Sequence, residues 1–556
     1  MARPIDLLRQ GRQEELWQMC CGFIDLSLEQ FMTIQKRLLL EQIELLKSCE
    51  LGRKLMRGAT PGTVEEFREQ VPLTTYDDYL PELLKQREDV LPTKPAIWVY
   101  TSGYPGKYPL KSVPISEVFS REYEKIAGAL PLLASCRGRG DTSQAKECGK
   151  TFYTVGPPKY TSGFLAYLVQ QATGYVFLPS NGEEMSFQQK IKAGFEEALH
   201  VGIDSVNGIS SVLVYAGEQI KQQSEMINIR LLLSHPPALL RVTRASIKSK
   251  LAHRPMLPKD LWSLKVIVSG GTDAAIFRKR VKELWGREPL EVYVGVEGGV
   301  YATQAWDYEG MTFIPNLNFF EFIPEREWLK WQLDHSHEPK TILLDEVKAG
   351  ENYEIVITNL HGGIMTRYRI GDMVRITSRR NEKLNIDIPQ MAFERRIDGL
   401  IDISGFGRLT ENVISDAVEN SGISYVDWTA RKEMTDDKAS LHIYLELKDN
   451  HIAGEKGVAT ALRDQLERLD AKYHWQVYKL WGDMEEMLGL KPLEVTLLPQ
   501  GAFSSYIARR QAEGADLGHL KPPHINPSDE VLSLLGAPKV EVKAVPAREA
   551  ERVAAR

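Results

Sequence analysis

Between residues 27 and 56 the apolar positions recur at helical spacing, with Leu28, Phe31, Met32 and Ile34 leading into a run from Leu38 to Leu46. Recurrence near every 3.6 residues predicts an amphipathic helix. "TPGTVEEFREQVPLTTYDDYLPELL" follows and reads as a capped helix, then a proline-punctuated segment. From residue 96 onward the pattern changes to short apolar runs alternating with amphipathic stretches. "FLAYLVQQATGYVFL" is apolar, "SFQQKIKAGFEEALHVGI" is amphipathic, and "SVNGISSVLVYAGEQI" passes from a loop into a helix. "LKVIVSGGTDAAIFRKRVKELWG" reads as strand, glycine turn and helix, while "LEVYVGVEGG" and "TFIPNLNFFEFIP" are strand-like. "YEIVITNLHGGIMTRYRIGDMVRIT" looks like two strands joined by a His-Gly-Gly turn. This alternation predicts an α/β architecture with substantial sheet.

The link "RRIDGLIDISG" leads into a compact region with the helix "LTENVISDAVENSG", the strand "SLHIYLELK" and the helix "GEKGVATALRDQLERL". A boundary near Asp398 then gives a large domain over 1–397 and a small one over 398–535. Residues 536–556 hold little to bury and are expected to be a flexible tail. No internal repeat is visible.

Composition narrows the class without naming it. Apolar content of 43% and charged content of 26% are ordinary for a soluble globular protein. A net charge of −6 gives no reason to expect nucleic acid as a partner. Five cysteines without metal-type spacing read as reduced thiols of a cytoplasmic protein. The segment "MARPIDLLRQGRQEELW" lacks an apolar signal core, and no window suggests a membrane span. The histidines are scattered, with no His-Glu-x-x-His pattern for zinc. "RGRGD" at 137–141 reads as a surface loop.

Five short stretches could carry chemistry. In "WVYTSGYPGKYPLK", residues 98–111, an apolar run enters a loop with hydroxyls, glycines and lysines. Backbone N–H groups of such a loop can converge on phosphate, and Thr101, Ser102, Lys107 and Lys111 add donors or charge, although an ordinary turn fits equally. "CGKT" at 148–151 has the ending of a Walker loop but not its earlier glycine. "SGG" at 269–271 ends a strand with paired glycines, which suits close approach of a flat ligand or a tight turn. Glu297 in "YVGVEGG" can hold Mg²⁺ or pair with a lysine. Asp372 in "TRYRIGDMV" sits in a turn between apolar strands, where a carboxylate can accept from ribose hydroxyls. Lys521 in "GADLGHLKPPH" is by composition alone a surface lysine.

Taken in this order, these elements resemble the superfamily of adenylate-forming enzymes, which includes acyl-CoA synthetases and firefly-type luciferases. Within it the chain resembles the Gretchen Hagen three family, the auxin-responsive acyl acid amido synthetases and their bacterial relatives. "FREQVPLTTYDDYLP", "FFEFIP" at 319–324, "RYRIGD" at 367–372 and "LGHLKPP" at 517–523 are similar to that family's signatures, and the resemblance covers nearly the whole chain. It implies an adenylate-forming fold, with a large domain of mixed sheets and helices and a small mobile α+β domain. It also implies ATP and Mg²⁺ as cofactors, and activation of a carboxylic acid followed by transfer to an amine such as an amino acid. Coenzyme A as a thiol acceptor, or a binding protein with weakened chemistry, are the other readings.

Carried over residue by residue, the resemblance assigns Thr101, Ser102, Gly103, Gly106 and Lys111 to the triphosphate. Gly270, Gly271 and Tyr293 would frame the adenine, and Asp372 with Arg396 would hold the ribose. Glu297 would bind Mg²⁺, Asp398 would be the hinge, and Lys521 would reach the carboxylate–phosphate junction. Ser211 and Val212 in "GISSV" would line the acyl site. Three positions depart from the family pattern: Tyr104 and Pro105 stand where small polar residues are usual, and Val296 where Ser or Thr precedes the glutamate.

Overall fold

The structure is a computed structural model and describes residues 2–100, 111–146, 148–153, 158–182, 185, 187–225, 235–271, 274–397, 400–403, 407–435, 438–448, 454–473, 493–512 and 522–538. The chain forms two compact units, the first ending at Asp398 and the second beginning at Gly399.

In the first unit the long amphipathic segment forms the helix Leu28–Ser48, started by a reciprocal capping box between Ser27 and Gln30. It buries Phe31, Leu39, Ile43 and Leu46. A second helix, Glu50–Leu55, follows as a separate element rather than a continuation to residue 56. The break lies at Cys49, in extended conformation, and Gly52 accommodates it: a Cβ there would lie 2.2 Å from the Leu46 carbonyl oxygen. The inner face also buries two glutamines. Gln35 accepts from the Phe320 N–H at 2.9 Å, and Gln42 accepts from the Gly362 N–H at 2.8 Å while donating to the Gly363 carbonyl at 2.8 Å. Each side-chain amide thus satisfies backbone groups deep in the unit.

A ribbon of β1 (Pro95–Tyr100) and β2 (Ser112–Ser116) flanks one large sheet. Its strands are β3 (Lys150–Tyr153), β4 (Val176–Leu178), β5 (Ser205–Ile209), β6 (Val266–Gly270), β7 (Leu290–Gly295), β8 (Gly299–Thr303), β9 (Met311–Phe313), β10 (Asn318–Pro324), β11 (Asn352–Asn359), β12 (Tyr368–Ser378) and β13 (Gln390–Arg396). They are ordered β10-β11-β12-β13-β9-β8-β7-β6-β5-β3-β4. From β4 to β7 the pairings are parallel; from β7 to β10 they are antiparallel. The helices Thr161–Thr173, Phe187–Val201, Ser210–Glu225 and Ala274–Trp285 supply crossovers for the parallel half, as right-handed βαβ units require.

Two readings of the sequence need correction. "SVNGI" is the central parallel strand β5, not a loop. Its Asn-Gly pair imitates a turn, but pairing with β3 and β6 overrides that local signal. Asp372 likewise lies inside β12 rather than in a turn. Gly371, at φ +80°, and a register shift opposite Glu354 and Val356 make a bulge there, which re-aims the aspartate without ending the strand.

The second unit has a ribbon of β14 (Leu400–Ile403) and β15 (Gly407–Thr410), and a sheet ordered β16-β17-β18. Here β16 is Tyr425–Thr435, β17 is Lys438–Leu447 and β18 is Leu493–Leu497. Helices Glu411–Asn420 and Glu455–Tyr473 pack on it through Ile414, Val418, Trp428, Ile443 and Leu462. Among the described residues, no helix is long and apolar enough to cross a membrane.

Candidate active site

Strand β7 is where the sheet changes from parallel to antiparallel pairing, and its carboxyl end leads into the turn that carries the first candidate carboxylate. The turn after it, Val296–Gly298, carries Glu297. Two buried asparagines hold this turn. Asn359 donates to the Glu297 carbonyl at 2.8 Å and to the Asn318 side-chain oxygen at 2.9 Å, and Asn318 donates to the Gly298 carbonyl at 2.7 Å. A Cβ on Gly298 would meet Tyr301 at 2.5 Å and Asn318 Oδ1 at 2.6 Å. Gly298→Ala is therefore expected to lower stability by about 1–3 kcal/mol, the usual cost of overpacking. Urea unfolding of the variant measures this; an unchanged midpoint would mean that the turn relaxes freely.

The Glu297 side chain is nearly buried and meets a cation. Lys111 Nζ lies 3.6 Å from Glu297 Oε1 and donates to Tyr368 Oη at 3.2 Å, while Tyr368 Oη donates to the same carboxylate oxygen at 3.4 Å. The ammonium also sits 5.3 Å from the centre of the Tyr76 ring. Tyr76 is fixed in turn by accepting from the Ser112 N–H at 2.9 Å. A carboxylate, an ammonium and two aromatic rings thus share one corner, and the pairing of Glu297 with a lysine is realised alongside any metal role.

The second carboxylate, Asp372, is held on both oxygens. Tyr293 donates its hydroxyl to Oδ2 at 2.7 Å, and Arg396, its partner in the β12–β13 register, lies 3.0 Å from Oδ1. In strand order Tyr293 and Asp372 are four strands apart. The antiparallel half must curl to join them, which the short β9–β13 pairing at Gln390 and Met391 permits. Burial, then the Asp372 charge, pushes the Tyr293 phenol well above its ordinary range, so it stays a donor at neutral pH. Its ring packs at 4.9 Å against Tyr301 and 6.1 Å against Phe393. Burial, then the charges of Glu297 and Asp372, raise the Tyr301 phenol as well.

Gly270 and Gly271 end β6 beside this corner. A Cβ on Gly270 would lie 2.8 Å from the Val292 carbonyl oxygen, so the approach of β7 already demands glycine there. Gly271, at φ +112°, turns the chain in a conformation suited to glycine. Through the β5–β6 register, Ile209 lies opposite Gly270. Ser211 and Val212 are buried in the first turn of the helix Ser210–Glu225, next to Ser210, which donates to the Gly270 carbonyl at 3.5 Å. Thr101, Ser102, Gly103, Tyr104, Pro105, Gly106, Asp398 and Lys521 lie outside the described residues.

Sequence reasoning missed Tyr368, Tyr76, Asn318 and Asn359. It also treated three motifs as separate signatures that are physically one structure. Arg367 donates to Glu321 through Nε at 3.0 Å and Nη2 at 2.8 Å, to Thr341 at 3.3 Å, to the Arg68 carbonyl at 2.6 Å, and to the Val71 carbonyl. Thr74 N–H donates to the Arg367 carbonyl and Arg369 N–H to the Thr74 carbonyl, each at 2.9 Å. "FREQVPLTTY", "FFEFIP" and "TRYRIGD" meet in this network.

An adenylate-forming fold is what this sheet and its companion unit define. The chain aligns with a 2-hydroxyisobutyryl-CoA ligase in complex with 2-HIB-AMP and CoA at a TM-score of 0.57 and 13% identity, covering 95% of this chain and 93% of that one. It aligns with AtGH3.15 acyl acid amido synthetase in complex with 2,4-DB at 0.51 and 19% identity, covering 93% and 95%. The sequence matches the GH3 family N-terminal domain over residues 20–167, the central domain over 311–396 and the C-terminal domain over 409–530. The chain belongs to the GH3 family. Among curated relatives it is 29% identical to the 4-substituted benzoates-glutamate ligase GH3.12 of Arabidopsis thaliana, over 40% of this chain and 38% of that protein. It is 30% identical to the jasmonoyl–L-amino acid synthetase JAR4 of Nicotiana attenuata, over 41% and 37%. The chain thus matches well under half the length of these curated relatives.

Proposed function

We propose that this protein is an ATP-dependent ligase that converts a carboxylic acid to an acyl-adenylate and passes the acyl group to an amine, with an amino acid as the acceptor class. The observation that carries the reading is a pair of buried carboxylates tied to one strand: Glu297 in the turn that follows β7, and Asp372, which accepts the hydroxyl hydrogen bond of Tyr293 on β7. Asp372 is pre-oriented by Tyr293 and Arg396, and its remaining lone pairs can accept from ribose hydroxyls. Among the described residues no group of three or more His, Cys, Asp or Glu converges. Mg²⁺ would therefore take Glu297 as its protein carboxylate and its other ligands from phosphate and water, as is usual at nucleotides. Glu297 fits this role because its Oε1 already faces a cation. The bound ion would neutralise charge on the reacting phosphates. Lys111 and the 101–106 loop would grip the triphosphate, and Lys521 would offset the charge that develops as acid and phosphate approach. The amide-forming relatives named above favour an amine acceptor over coenzyme A.

ATP–pyrophosphate exchange with a panel of carboxylic acids tests the first half-reaction, and product mass spectrometry with mixed amino acids or coenzyme A identifies the acceptor. Exchange with none of the acids, alongside measurable ATP binding, would overturn the enzymatic reading. Val296 favours a slow enzyme as a second reading: it is buried beside Glu297 and cannot donate to phosphate. With Tyr104 and Pro105 it leaves hydroxyl donors missing or altered, and each lost bond to a charged acceptor is worth about 1.5–3 kcal/mol. Tyr104→Thr combined with Pro105→Ser is expected to raise exchange about tenfold or more. An unchanged rate would show that these two residues do not limit the reaction.

A further inference from the structure

Residues Pro522–Asn526 follow Lys521 directly and are strapped to β16. The Ala430 N–H donates to the His524 carbonyl at 2.7 Å, the Asn526 N–H donates to the Ala430 carbonyl at 2.8 Å, and the Thr429 hydroxyl donates to the Pro523 carbonyl at 2.6 Å. The centre of the strap is the His524 side chain. Its ring stacks on Trp428, with centroids 4.6 Å apart and planes inclined by 15°. Nε2 lies 2.9 Å from Asp427 Oδ1 of β16, and Nδ1 lies 2.6 Å from Glu411 Oε1 in the first turn of the helix Glu411–Asn420. A neutral imidazole has one N–H and one lone pair; only the imidazolium donates to two carboxylates at once.

We infer that His524 is a positioning residue, an imidazolium clamp that fixes the segment Pro522–Asn526, which follows Lys521 in sequence, to β16 and the neighbouring helix. The inference rests on the proposed role of Lys521. Lys521 is three residues before His524 in sequence, and three residues span at most about 10 Å, so fixing the strap bounds where its ammonium can reach. Among the described residues, the charged groups bonded to the ring are Asp427 from β16 and Glu411 from the helix; the strap Pro522–Asn526 itself brings none. The bond to Asp427 raises the His524 pKa first, burial opposes it, and Glu411 adds to the rise. A raised pKa fixes the sign. The clamp's contribution is complete below the ordinary histidine range near 6.5 and is lost as pH rises through the elevated value.

The test is pyrophosphate exchange by the full chain from about pH 6 to about pH 9, with an NMR titration of the His524 imidazole. The wild-type exchange kcat is expected to fall on the alkaline side with the pKa that NMR assigns to His524. His524→Gln lowers kcat about tenfold or more, leaves KM for ATP unchanged and abolishes that alkaline limb. His524→Arg, protonated throughout and able to stack and fork, keeps most of kcat and also lacks the limb. Glu411→Gln, at an exposed position, moves the limb to lower pH. The inference is overturned if His524 titrates at or below its ordinary range, or if His524→Gln keeps the wild-type rate and pH profile while Lys521→Ala abolishes exchange. Exchange that survives Lys521→Ala would overturn the reading of Lys521 and this inference with it.

Discussion

Replacing Lys521 by alanine is expected to slow ATP–pyrophosphate exchange by about 10²–10³-fold or more, the loss typical when one preorganised charge is removed from a reacting centre. The reason lies in the reaction class. A carboxylate and a triphosphate are both anions, and negative charge builds on the phosphorus as they approach. In the proposed reaction Mg²⁺ and Lys111 would act on the far phosphates, and a separate cation would be needed where the new bond forms. The interaction matters only as the bond forms, so kcat should fall while KM for ATP moves little. Lys521→Arg is expected to recover only a small part of the rate, because a planar guanidinium does not replace a compact ammonium. Exchange at the wild-type rate in Lys521→Ala would exclude Lys521 from the chemistry and make Lys111, 3.6 Å from Glu297, the next cation to test.

The elements of the fold were legible wherever a local pattern agreed with its surroundings. The Leu28–Ser48 helix, the "VIVSGG" strand ending in glycines and the hairpin strand through "SLHIYLELK" all follow period and punctuation. The misreadings share one cause. Asn-Gly in β5 and Gly-Asp in β12 carry turn chemistry, yet the sheet uses the first pair inside a buried parallel strand and the second for a bulge. In the site, Glu297 and Asp372 stood out because a carboxylate among glycines or at the end of an apolar run is locally unusual. Asn318, Asn359, Gln35 and Gln42 did not, because a buried amide is explained only by a backbone partner distant in sequence: Asn359 serves the turn at 297, and Gln35 serves β10. Tyr368 and Tyr76 read as core aromatics, and only the fold brings their hydroxyl and ring to Lys111.

Glu321→Ala is expected to lower the unfolding free energy by about 3–5 kcal/mol, because it breaks a buried ion pair and leaves its cation behind. Every N–H of the Arg367 guanidinium is used: two on Glu321, one on Thr341, and one each on the Arg68 and Val71 carbonyls. The two side chains are only 6% and 1% exposed. Arg68 also places Nε 3.6 Å from Glu321, so the variant leaves two arginines without their shared carboxylate. Arg367 itself sits at φ 44°, a left-handed conformation costing a non-glycine residue about 1–2 kcal/mol, and the network holds it there. The next residue is Tyr368, whose hydroxyl reaches Glu297, so losing the network should loosen the Glu297 corner as well as the fold. Urea unfolding followed by tryptophan fluorescence should give a lower midpoint for the first unit with an unchanged slope. Glu321→Gln, which keeps an acceptor but no charge, should fall between the variant and the wild type. If Glu321→Ala unfolds like the wild type, the ion pair is dispensable to the joint between the three motifs.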